Sequence, residues 1–287
     1  MARAIVTGAA GAQGSAIADA FRRAGHEVAG LVRQPRPDRA DLTVVDMEDA
    51  EALARALEGA EVLAFTSPID HRPGAREGLA ERLIAAADRV GVGRIVLNTA
   101  AAVPDGLDRP VAKVLRRVRA TVMEGPVPSA VVEPTVYMDN LAAPWLAPAI
   151  ASGTLVYPAP RDARIAWISH ASLGAFVVAA AEHATPGGRV FEVGGPEAMT
   201  GDEAARRLGD AIGRPVRYEE APLEGFAAAL NAASGAPAGD DIADYYRHLL
   251  GHPDVLARGA EAAAHLGVSP EPMTEWAARQ SWPTQED

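Results

Sequence analysis

The sequence predicts an α/β fold, a doubly wound parallel sheet followed by a small, mostly helical C-terminal lobe. Three observations carry this. Short apolar runs recur through the first half, at Ala4–Thr7, Val28–Val32, Leu42–Val45, Val62–Phe65, Ile95–Leu97 and Ala130–Val132. Amphipathic segments with helical spacing separate them. The runs lack polar alternation, which is the mark of strands covered on both faces, and right-handed crossovers then wind helices over both sides of the sheet.

The elements follow in order. After the first strand, Ile17, Ala20, Phe21 and Ala24 recur at i, i+3, i+4 and i+7, one buried helix face, and Gly25 stops the helix. Residues 48–58 read as a helix closed by Gly59, and residues 75–90 as a helix closed by Gly91. Pro110 suits the first position of a helix running to about Glu124. Beyond Pro134 the pattern loosens. A helix near 139–150 is interrupted by Pro144 and Pro148, and short strands are expected near 154–157 and 164–168. Residues 171–183 are helical and Val190–Val193 suits a further sheet strand. Thr200-Gly201-Asp202-Glu203 has the form of a capping box and opens a helix to Ile212, after which helices dominate to about Leu266. Residues 234–241 read as a linker, and the last few residues are expected to fray.

Composition narrows the function. The 287 residues are 48% hydrophobic and 23% charged, ordinary for a globular protein, and carry a formal net charge of -11, which argues against a nucleic-acid partner. There is no cysteine, so disulfides, thiolate metal sites and cysteine nucleophiles are excluded. The seven histidines form no H-E-x-x-H pattern, and His248 and His252, though four apart, are flanked by Gly251 and Pro253; no metal is expected. No G-x-S-x-G elbow or phosphate-binding G-x-x-x-x-G-K-[ST] loop occurs. Residues 1–6 lead into a strand without a basic-plus-apolar leader, and no apolar run has bilayer length. The expectation is a cytoplasmic protein with no membrane partner, a monomer or homodimer.

The strongest motif is Gly8-Ala9-Ala10-Gly11-Ala12-Gln13-Gly14, directly after a strand and directly before a helix. Gly8 permits a tight turn, Gly11 a close approach of backbone to a pyrophosphate, and Gly14 close helix–strand packing. The helix N-terminus offers free N–H groups and partial positive charge to phosphates. This is the dinucleotide site of a Rossmann sheet. At the end of the second strand, Leu31-Val32-Arg33 carries no acid until Asp38. An arginine there accommodates a 2′-phosphate, so Arg33 argues for NADP(H) over NAD(H), while Arg36 and Arg39 read as surface residues. Asp46 either accepts from the adenine amino group, with Met47 packed on the ring, or caps the helix that follows. Thr66, Ser67 and Pro68, after the fourth strand, are expected beside the nicotinamide ribose. The chain divides as one two-lobed unit over 1–287. Residues 1–135 with about 164–195 form the nucleotide lobe; about 136–163 with 196–287 form the substrate-binding lobe.

GAAGAQG, the strand ending at Arg33, the VVDMED segment and EPTVYMDNL at 133–141 together resemble the NmrA-like group of atypical short-chain dehydrogenase/reductases, and residues 194–218 are similar to the helix and strand of that family's C-terminal lobe. The resemblance covers nearly the whole chain. It implies an NADP(H)-preferring Rossmann lobe whose turn (Gly8, Ala10, Gly11, Ala12, Gln13, Gly14) holds the cofactor, and a substrate cleft between the lobes. It also marks Pro134, after the sixth strand, as a cofactor neighbour. Family members include quinone reductases and other reductases, as well as redox-sensing regulators that bind cofactor without turnover.

Short-chain dehydrogenases of the usual kind carry a Tyr-x-x-x-Lys pair, but no tyrosine here precedes Tyr137. Lys113 either holds the nicotinamide ribose, as a lysine does in many relatives, or belongs to a basic helix face with Arg116, Arg117 and Arg119. Asn98 and Thr99 stand where the family carries serines; Thr99 either bonds a carbonyl or ribose hydroxyl or closes its strand. Tyr137 is the remaining candidate proton donor, or else an aromatic wall of the pocket. His71, Tyr137, Asn140 and Trp167 are the candidate substrate contacts; His170 reads as structural. Hydride transfer itself does not require a side-chain acid, because the cofactor supplies the hydride and the protein the orientation. The leading reading is an NADPH-dependent reductase of a small apolar carbonyl, enone or quinone-like substrate. Two alternatives remain: an NADP(H)-sensing regulator without turnover, and a non-redox epimerase or dehydratase.

Overall fold

A computed structural model describes residues 2–36, 39, 41–104 and 106–283. Asp38 and the last four residues, expected to fray, lie outside the described residues. Seven strands make one parallel sheet: β1 (Arg3–Thr7), β2 (Glu27–Val32), β3 (Leu42–Val44), β4 (Val62–Thr66), β5 (Arg94–Asn98), β6 (Ser129–Pro134) and β8 (Val190–Val193). Their order is β3-β2-β1-β4-β5-β6-β8, so the winding direction reverses between β1 and β4. The predicted doubly wound sheet is therefore the observed one.

The alternation of side chains along each strand builds a core on both faces. Ala4 and Val6 of β1 join Phe21 of α1 (Ala12–Arg23) and Phe176 of α6 (His170–Glu182) on one side. Ile5, between them, points the other way. There it joins Leu53 of α2 (Ala50–Leu57), Leu83 of α3 (Ala75–Val90) and Val118 of α4 (Pro110–Glu124). Each fully buried side chain of this size contributes roughly 1.5–3 kcal/mol relative to exposure, which makes the sheet and its helices a rigid platform.

The remainder forms its own cluster. A short 3-10 helix (Met138–Ala142), α5 (Ala147–Ala151) and β7 (Thr154–Tyr157) lead into α6; after β8 come α7 (Gly201–Ile212), β9 (Arg217–Glu220), α8 (Leu223–Ser234), α9 (Ala238–Leu249), α10 (Ala260–Leu266) and α11 (Met273–Ala278). Met138, Tyr157, Trp167, Leu208, Tyr246 and Trp276 share this second core. The Thr200–Glu203 capping box is formed as expected, with both reciprocal bonds.

Beyond β6 the structure sharpens four expectations. Residues 164–168 form isolated bridges rather than a strand, with Ile165 tied to Met199 and Leu256 and Ile168 to Tyr137. The interruption expected near 139–150 falls at residues 143–146, between the 3-10 helix and α5; Pro144 lies in the break, and Pro148 sits in the first turn of α5, where a proline is tolerated. Residues 234–241 are the junction of two helices, and α9 begins within them. β9 breaks the helical run expected to reach Leu266 and pairs in parallel with β7.

Candidate functional site

The turn after β1 forms as its glycines predict. Gly8 takes a left-handed φ of +64°, its N–H bonds Leu31 O at 3.0 Å, and Gly11 N–H bonds Gly8 O at 2.9 Å. A Cβ on Gly14 would sit 2.2 Å from Gly8 O, so only glycine lets α1 pack against the turn. Gly11 is the N-cap of α1; no side chain caps the helix and its first turn holds no acid. The first N–H groups of α1 are thus free to receive an anion.

In front of this turn lies a cleft of about 890 Å³, at the ends of β1, β2, β3 and β4 where the sheet reverses. Its walls include Gly8, Ala10, Gly11, Arg33, Asp46, Met47, Thr66 and Pro68, all expected there. Arg36, read from sequence as a surface residue, also lines it. Arg33 and Arg36 are exposed and make no ion pair among the described residues. The other cleft arginines are engaged. Arg82 donates to Met47 O at 2.9 Å, and Arg72 pairs with Asp70 at 2.8 Å. That hydrogen-bonded guanidinium pulls the Asp70 carboxyl down to about 2. Arg39 is held by Asp41 at 2.8 Å.

Asp46 keeps its side chain at the cleft. It does not cap α2; its Oδ1 accepts from Glu48 N–H at 2.9 Å, while Asp49 is the N-cap, accepting from Glu51 and Ala52. Ser67 is turned inward, 2% exposed, with an Oγ that has no hydrogen-bond partner among the described residues.

Beside the cleft, four segments meet at the C-terminal ends of β1, β4, β5 and β6. Asn98 Nδ2 donates to Gln13 Oε1 at 2.8 Å and lies 3.4 Å from Thr66 Oγ1. The Tyr137 hydroxyl donates to the same Gln13 oxygen at 3.1 Å. Tyr137 is buried, its ring 4.7 Å from that of His170, and burial holds its phenol well above the usual tyrosine range. Pro134 ends β6 in register with Val193. The sequence identified Gln13, Asn98 and Tyr137 separately; their convergence on one oxygen was not visible in it.

Other candidates are placed elsewhere. Lys113 is half-exposed and paired with Asp108 at 2.8 Å, so it belongs to the surface of α4 and not to the Gln13 cluster. Thr99 is buried and its hydroxyl donates to Ala101 O at 2.7 Å, the strand-closing arrangement. Trp167, 3% exposed, stacks edge-on against Tyr157 at 4.9 Å inside the second core and presents no free face to a substrate. Asn140 is exposed, with its side chain beside the Tyr157 hydroxyl. His71 reaches α9, its Nδ1 3.3 Å from Asp241. His170 follows the N-cap of α6; its N–H donates to Asp139 at 2.8 Å, the structural role expected of it. His248 and His252 stack at 4.1 Å, and no group of three or more potential ligands is arranged for a metal among the described residues. None of the described helices is long and apolar enough to cross a membrane.

Comparison with known proteins agrees with this geometry. Over 242 residues, 81% of this chain and 82% of the relative, it is 33% identical to the (4-alkanoyl-5-oxo-2,5-dihydrofuran-3-yl)methyl phosphate reductase of Streptomyces griseus. It is 28% identical to the NAD(P)H azoreductase of Xenophilus azovorans, covering 88% of each chain. Among solved structures, the NADPH-dependent quinone oxidoreductase of Escherichia coli, complexed with NADPH, superposes with a TM-score of 0.76 at 24% identity, over 96% of this chain and 98% of that one. The NmrA-like family matches residues 2–250, and the chain belongs to that family.

Proposed function

We propose that the protein is an NADPH-dependent reductase of a small, apolar, conjugated acceptor: a carbonyl, enone or quinone-like compound. The observation that carries this reading is the pairing, across one cleft, of the uncapped α1 N-terminus with Arg33 and Arg36, two arginines without ion-pair partners among the described residues. The first suits a pyrophosphate and the second a 2′-phosphate. Asp46, Met47, Thr66 and Pro68 line the same cleft; in this reading the first two meet the adenine and the last two the ribose nearer the sheet. The sheet lobe, 1–135 with about 164–195, binds the nucleotide; 136–163 with 196–287 supplies the substrate side.

When bound, NADPH supplies a hydride to the acceptor, which takes its proton from solvent. What this chain does is orient and shield. The Gln13, Asn98 and Tyr137 cluster holds the reactive end of the site in one arrangement. The similar proteins are named as a dihydrofuranyl-methyl phosphate reductase, an azoreductase and a quinone oxidoreductase, which supports a reductase. The test is single-turnover oxidation of bound NADPH by a panel of quinones, enones and azo compounds. Acceptor-dependent oxidation is the expected result. Binding without oxidation by any member would favour a cofactor-sensing regulator.

A further inference from the structure

The orientation of each amide in the Gln13 cluster is set by a neighbour. The Ala100 backbone N–H can only donate, and it donates to Asn98 Oδ1 at 3.0 Å. Asn98 must then present Nδ2 to Gln13, which identifies the Gln13 atom 2.8 Å away as Oε1. The Tyr137 hydroxyl, 3.1 Å from that oxygen, has to be the donor there. The chain of bonds runs one way and terminates on Gln13 Oε1. Ala100 adopts a φ of +66°, a conformation that a non-glycine residue takes at some cost, and this turn delivers the N–H that starts the chain.

Two donors on Oε1 leave the other end of the amide free. Gln13 Nε2 has no acceptor among the described residues and, in a planar amide, points away from both donors. Gln13 is half-buried and sits in the first turn of α1, beside the free N–H groups of the glycine turn. A side chain pinned at its oxygen has little rotamer freedom left to lose when its N–H finds an acceptor.

We infer that Gln13 orients the nicotinamide by donating its Nε2–H to the carboxamide oxygen, and that Asn98 and Tyr137 are positioning residues that aim it. This rests on the NADPH reading of the cleft. The carboxamide is the acceptor favoured over a substrate carbonyl because Gln13 belongs to the turn that meets the cofactor whatever the acceptor is. A consequence is that the Tyr137 proton is committed to Gln13 and does not serve the acceptor.

The test uses two NADPH analogues and calorimetric dissociation constants. The 3-acetylpyridine analogue keeps the carbonyl oxygen and lacks the amide nitrogen; the thionicotinamide analogue replaces that oxygen with sulfur, a weak acceptor. The wild-type chain should bind the acetylpyridine analogue about as tightly as NADPH and the thionicotinamide analogue roughly tenfold more weakly. In Gln13→Met the ratio between the analogues should fall to near unity, and Tyr137→Phe should narrow it part of the way. A wild-type chain that does not distinguish the analogues overturns the inference without any variant. So does a Gln13→Met chain that keeps the wild-type ratio, or one whose only loss is in kcat/KM with carbonyl acceptors. Failure of the wild type to bind NADPH at all is a separate result, which defeats the reading of the cleft itself.

Discussion

Tyr137 and Gln13, 124 positions apart in the chain, are joined by a hydrogen bond of 3.1 Å from the phenol to the amide oxygen. The bond ties the loop after β6 to the glycine turn after β1, so the wall of the substrate side and the floor of the cofactor side are held together.

Replacing Tyr137 with Phe keeps the ring against His170 and removes only the hydroxyl. The KM for NADPH should rise severalfold while kcat falls less than tenfold. Steady-state kinetics at saturating acceptor decide the matter. A fall in kcat of about 100-fold or more, the size of a lost general acid, would make the phenol the proton source.

Arg33 lines the cleft and is the residue proposed to meet the 2′-phosphate. Arg33→Asp should weaken NADPH binding by roughly 10–100-fold, the worth of one or two hydrogen bonds to a charged group, and leave NADH binding nearly unchanged. Equal losses for both nucleotides would show that Arg33 does not meet the 2′-phosphate.

Gly14 is intolerant of any side chain. A Cβ there would lie 2.2 Å from Gly8 O and 2.6 Å from its carbonyl carbon, both rigid backbone atoms. Gly14→Ala should destabilise the fold by about 1–3 kcal/mol, as other overpacked sites do, and abolish NADPH binding. A variant that melts and binds like the wild type would mean that the turn adapts.

His170 makes the fold sensitive to acid. Burial pushes its imidazole below the usual value of 6.5, and Asp139 only partly opposes this. The unfolded chain therefore binds the proton first, and stability is lost as pH falls below about 6.5 toward the lower folded value. The slope from this one group is at most about 1.4 kcal/mol per pH unit. Denaturant melts between pH 5 and 7 should show that loss, and His170→Gln should flatten it. An unchanged slope in the variant would place the sensitivity elsewhere.

The parts legible in the sequence are those written in local chemistry. The glycine turn, the apolar strands and the Thr200 capping box depend on residues a few positions apart, and each appears where expected. The pairing of β9 with β7 was illegible because only Tyr218 of its four residues is buried and β7 lies some sixty positions earlier. Spacing leaves Lys113 and Trp167 open between two readings for a related reason. Whether a lysine meets a ribose or Asp108, and whether an indole lines a cleft or stacks on Tyr157, depends on packing that spacing does not encode. The same holds for Gln13, Asn98 and Tyr137, which converge on one oxygen only once β1, β4, β5 and β6 are assembled in that order.

The most direct measurement is a fluorescence titration of the purified protein with NADPH and, separately, with NADH. The account predicts saturable binding of NADPH, at least tenfold tighter than NADH, the difference expected of a paired 2′-phosphate. Failure to bind either nucleotide, or equal affinity for both, would contradict it.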